Sequence, residues 1–124
     1  MAAIKAYTDL EQSRKLEEIL PIESADMCWS IDIPDLPTIL AYPITDCDNW
    51  GNKIPAWSLA ALLEGLSKWA ESISEAGIVE ISYEKGTKWG VSILNCGKIK
   101  DCYADNPIDA CYEMIIKLHE LNLL

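Results

Sequence analysis

Apolar positions fall into eight successive segments along the chain. Thr8-Asp9-Leu10-Glu11 reads as a capping box, with Thr8 as N-cap and Glu11 three residues on. Leu10, Leu16, Ile19 and Leu20 then share one helical face, and Pro21 closes the helix. Met27 to Ile33 alternates imperfectly, Cys28, Ser30 and Asp32 against Met27, Trp29, Ile31 and Ile33, which predicts a strand with one polar side. Thr38 to Tyr42, between Pro37 and Pro43, predicts a second. Thr45 to Lys53 reads as a polar loop carrying Trp50.

The strongest periodic signal follows. Leu59, Leu62, Leu63, Leu66, Trp69, Ala70 and Ile73 recur at helical spacing, with Pro55 near the first turn and Gly77 as the stop. Ile78 to Glu84, Trp89 to Leu94 and Ile99 to Tyr103 predict three short strands joined by turns at Glu84-Lys85-Gly86-Thr87 and Asn95-Cys96-Gly97-Lys98. Asp105-Asn106-Pro107 opens a last helix with Pro at its first position, and Ile108, Cys111, Ile115 and Leu118 form its apolar stripe. The order is α-β-β-α-β-β-β-α. It implies an α+β fold: an antiparallel sheet, made of a three-stranded C-terminal meander plus one or two N-terminal strands, with helices packed on one face. At 124 residues the chain is expected to be one domain, 1–124, large enough for an unassisted core.

Charge changes this picture most. Twenty acids oppose ten bases, a formal net charge of -10, which argues against direct nucleic-acid binding because displacing phosphate counterions requires Lys and Arg. From Leu16 to Asn52 the chain carries Glu17, Glu18, Glu23, Asp26, Asp32, Asp35, Asp46 and Asp48 and no base. Such a stretch is either a solvated face or a docking surface for a basic partner. The N-terminus has no apolar signal region and no run is long enough for a membrane span, so a cytoplasmic protein without membrane contact is expected. Five cysteines, an odd number without C-x-x-C spacing, fit reduced structural thiols.

Catalytic and metal chemistry find little support. His119 is the single histidine and lacks a recognisable nucleophile context. Asp46-Cys47-Asp48-Asn49-Trp50-Gly51 begins like a calcium loop, but Trp50 and Trp57 occupy positions where ligands belong. Zinc would require Cys96 and Cys102 to converge with distant Cys28, Cys47 or His119. Phosphate-cradling glycine motifs are absent from the sequence. No catalytic residue, metal ligand or cofactor is assigned.

The aromatics are five Trp, five Tyr and no Phe, residues that pair a large apolar body with a polar tip. Trp57 and Trp69 fit a helix core. Trp29 and Trp50 lie within the acidic segment and are the candidate anchors of a binding surface, together with Asp32, Asp35, Asp46 and Asp48.

Four stretches carry a resemblance: Tyr7-Thr8-Asp9-Leu10-Glu11-Gln12-Ser13-Arg14-Lys15-Leu16, Ser24-Ala25-Asp26-Met27, Ile54-Pro55-Ala56-Trp57-Ser58-Leu59 and Asp105-Asn106-Pro107-Ile108-Asp109-Ala110. In this order they resemble a family of short uncharacterised proteins of prophages and mobile elements of gut Bacteroidales. The resemblance implies a mobile-element accessory protein and transfers no activity. The expected function is non-enzymatic binding of another protein, a basic one, through the acidic Trp-bearing first half; a homodimer is compatible with it. The rivals are a small-ligand or nucleotide-signal binding protein, with Trp and Tyr stacking in a groove, and a DNA-mimicking inhibitor.

Overall fold

A computed structural model describes residues 5–33, 35–44, 52–84 and 88–124. Helix α1 (Leu10–Glu17) is capped one residue later than the sequence suggests. The Asp9 carboxylate accepts from the Gln12 backbone N–H at 2.8 Å, and the Gln12 side chain returns a bond to the Asp9 N–H at 3.1 Å. Thr8 and Asp9 are both competent caps. Asp9 takes the role because the Thr8 side chain is buried and bonded elsewhere. A single 3₁₀ turn (Ile22–Ser24) follows Pro21.

Strands β1 (Met27–Ser30), β2 (Thr38–Leu40) and β3 (Lys53–Ala56) form an antiparallel sheet in the order β2-β1-β3. Both expected N-terminal strands exist, shorter than the alternation suggested. β3 corrects the reading of Lys53 as loop and Pro55 as a helix start. Lys53–Ala56 pairs residue by residue with Ser30–Met27, and Pro55 is tolerated because β3 is an edge strand that needs no donor on one side.

Helix α2 (Leu59–Ile73) therefore begins at a different cap, Ser58, whose hydroxyl accepts from the Ala61 N–H at 3.2 Å. Leu62, Leu66, Trp69 and Ala70 are buried, whereas Ile73 is 53% exposed and lies outside the stripe. Strands β4 (Ile78–Tyr83), β5 (Trp89–Leu94) and β6 (Cys102–Ala104) make the expected meander, a second antiparallel sheet in sequence order. The last strand sits three residues later than Ile99. Helix α3 (Pro107–Glu120) starts where Asn106 and Pro107 place it, and Ile108, Cys111, Ile115 and Leu118 are all buried.

The fold is thus α+β, with the expected order plus one strand. α3 packs on β5 and β6, and α2 on β4 and α3. One core joins the two sheets: Leu16 and Trp57 from the first half meet Leu62, Leu66, Val91, Ile93, Met114 and Leu118 from the second. Among the described residues, no helix is long and apolar enough to cross a membrane.

Candidate functional site

The motif stretches converge on two polar knots that build the frame for the acidic surface. In the first, the buried Thr8 hydroxyl meets Ser13 Oγ at 2.8 Å and accepts from the Trp57 N–H at 3.1 Å. The Thr8 N–H donates to the Trp57 carbonyl at 3.0 Å, and the Trp57 indole N–H donates to Ser24 Oγ at 2.9 Å. The Asp26 carboxylate accepts from both the Ser58 N–H, at 2.9 Å, and the Ser58 hydroxyl. Start of α1, 3₁₀ turn, β1 and start of α2 are thereby tied together. In the second knot, Asp109 accepts from Lys5 Nζ, Gln12 Nε2 and Asn106 Nδ2, each at 2.8 Å. Desolvation opposes ionisation of Asp109, but the three hydrogen bonds and the Lys5 charge outweigh it and hold its carboxyl below the ordinary value. Desolvation likewise opposes the Lys5 cation, and its bonds to Asp109 and Asp9 prevail, raising its pKa. These residues are structural: every buried polar side chain among the described residues has a hydrogen-bond partner.

On this frame the β1–β2 hairpin stands out. Asp32 and Asp35 are exposed, and between and beside them Ile33 is 60% and Leu36 63% exposed. The turn is ordered by a Leu36 N–H to Ile33 carbonyl bond of 2.9 Å and by Ser30 Oγ donating to the Asp32 carboxylate at 3.2 Å. Tyr42, just past β2, is 49% exposed. Sequence reading misses Ile33 and Leu36 because Ile33 falls within the expected strand Met27 to Ile33, and Leu36 lies in the proline-bounded stretch between the two expected strands.

Trp29 is placed differently from the other candidates. Its ring is half-buried, its indole N–H donates to the Thr8 carbonyl at 3.0 Å, and Tyr7 meets it edge-on with ring centroids 5.8 Å apart. Trp29 supports the hairpin from beneath. Asp46, Asp48 and Trp50 lie outside the described residues.

Other chemistry gains nothing from the geometry. No group of three or more His, Cys, Asp or Glu among the described residues could hold a metal ion. Cys96 Sγ approaches the Ala70 carbonyl at 3.3 Å, while Cys102 lies near Lys100. Burial pushes the Cys111 thiol up to about 12, which keeps it protonated and inert. The His119 ring is exposed and its Nδ1 sits 2.9 Å from the Leu124 carbonyl. A groove of about 420 Å³ runs between Leu20, Pro21, Trp69 and Leu124, with Glu23 and Lys68 among its other lining residues.

Compared with known proteins, the chain matches no family model, no curated protein and no solved structure.

Proposed function

We propose that the protein is a non-enzymatic binding module that docks another protein through its β1–β2 hairpin. One observation carries the reading: Ile33, between Asp32 and Asp35, and Leu36, beside Asp35, are each more than half exposed in one tight turn. Exposed apolar side chains gathered within a charged rim are a feature of interaction surfaces. The sequence from Leu16 to Asn52 carries no base, so the partner is basic around an apolar contact, and attraction over distance sets the encounter rate. The resemblance to short proteins of mobile elements supports reading such a module as a cytoplasmic accessory protein.

The test is retention of a partner from host extract by wild type, D32K/D35K and I33S/L36S at two salt concentrations. A stoichiometric partner, released by salt and lost from both variants, is expected. Equal recovery by all three proteins overturns the reading.

The groove beside Trp69 supports a second reading, binding of a small apolar ligand, since its size falls within the usual range of ligand pockets. A melting temperature raised by a ligand in wild type and unchanged in W69L supports this alternative.

A further inference from the structure

The two sheets present four edges, and three are blunted in recognisable ways. β2 and β6 are three residues long, and α3 packs over β6. β3 carries Pro55, and Tyr7 and Thr8 pair with the backbone just beyond its end. β4 is packed by α2 as β6 is by α3, but it is neither short nor interrupted by Pro. It runs six residues, Ile78-Val79-Glu80-Ile81-Ser82-Tyr83, contains no Pro or Lys, and pairs without a bulge along its whole length with β5. Among the described residues no strand pairs with its outer side.

The side chains bear the mark of an open seam. Val79 and Ile81 face the core together with their partners Ile93 and Val91, yet they are only half-buried where Ile93 is 3% and Val91 0% exposed. Ile78 and Tyr83, at the strand's two ends, are 53% and 57% exposed. Long, apolar, unprotected edges are templates for another strand.

We propose that β4 pairs antiparallel with β4 of a second copy, joining the two meanders into one six-stranded sheet. A two-fold axis perpendicular to the sheet keeps the helices of both copies on one face, so only residues of matching orientation can oppose each other. Centring the axis on Glu80 would set two carboxylates face to face. Centring it on Ile81 sets Ile81 against Ile81, Val79 against Tyr83 and Glu80 against Ser82, with no like charges opposed. This register sets apolar side chains against apolar side chains and opposes no like charges, and that match argues for a second copy as occupant. The contact lies away from the β1–β2 hairpin and does not depend on the docking role proposed for it.

Sedimentation and native mass spectrometry of the full chain test the pairing with two variants, S82E and E80K/S82K. Wild type should show a concentration-dependent dimer. Each variant opposes like charges twice across the axis and should weaken it roughly tenfold. An equimolar mixture should recover wild-type association, because acids of one variant then face bases of the other. Net charge alone predicts a different order, since E80K/S82K is the less negative protein. Hydrogen exchange on wild type provides a check that needs no variant: β4 amides should gain protection as concentration rises. A wild type that stays monomeric at about 0.5 mM, variants that dimerise as wild type does, or a mixture that fails to associate would each overturn the pairing.

Discussion

Lys5 and Asp109 are 104 residues apart in the chain, and the ammonium donates to the carboxylate at 2.8 Å. Their bond pins the segment before α1 to the first turn of α3, where a carboxylate also suits the helix dipole. The acid side of the stability profile follows from it. The Asp109 pKa is lowered from 3.8 on folding, so its stabilisation is present above that value and is lost as pH falls through the lower folded value. Lys5 has the opposite sign: its pKa is raised above 10.5, so its stabilisation is intact below that value and is lost as pH rises through the higher folded value. D109N should unfold about 1–2 kcal/mol more easily at neutral pH, screening included, and lose less on acidification than wild type. Urea titrations at pH 7 and pH 3 measure both.

Thr8 holds the first knot. T8V keeps the shape but removes the hydroxyl that serves Ser13 and the Trp57 N–H, leaving buried polar groups unpaired. A loss of about 2–4 kcal/mol is expected, against about 1 kcal/mol for T8S, which retains the hydroxyl. Chemical denaturation of both variants separates hydrogen bonding from methyl packing.

Two glycines should respond oppositely to alanine. A Cβ on Gly77 would lie 2.3 Å from the Ala70 backbone oxygen and 2.9 Å from Cys96 Sγ, with the main chain unable to yield. G77A should cost about 2–4 kcal/mol. A Cβ on Gly65, inside α2, meets nothing within 4 Å. G65A should stabilise by about 0.5–1 kcal/mol through helix propensity. Thermal melts of the pair decide the matter.

Cys111 is 0% exposed with its thiol at about 12, so alkylation in the native state at pH 8 should spare it. Mass spectrometry after digestion should find it modified only when denaturant precedes the reagent. Native-state modification would contradict the packing of α3.

Elements whose limits are set by local chemistry were legible in the sequence. Asn106 and Pro107 fix the start of α3, and clean alternation from Ile78 marks β4, which ends one residue before the expected Glu84. The cap of α1 was ambiguous because Thr8 and Asp9 are equally good oxygens, and only the distant Trp57 N–H decides between them. β3 was hidden because a four-residue segment with a central Pro carries a helix-start signal as strong as its strand signal. At the candidate site, exposure was the illegible quantity. Trp29 looks free in the sequence until the Thr8 carbonyl, 21 residues away, takes its N–H. Ile33 looks like a strand position until the turn at Ile33 to Leu36 leaves it exposed.

The two sheets divide the chain cleanly, β1 to β3 before residue 57 and β4 to β6 after residue 77. Among the described residues, no strand of one half is inserted between strands of the other. Each sheet pairs strands of its own half of the chain alone, which limits the loop entropy that folding must overcome. During synthesis the first sheet can therefore assemble while the second half is still being made. Leu16 of α1 and Trp57, just after β3, then wait for the apolar flanks of α2 and α3, and the order of translation becomes the order in which the core is sealed.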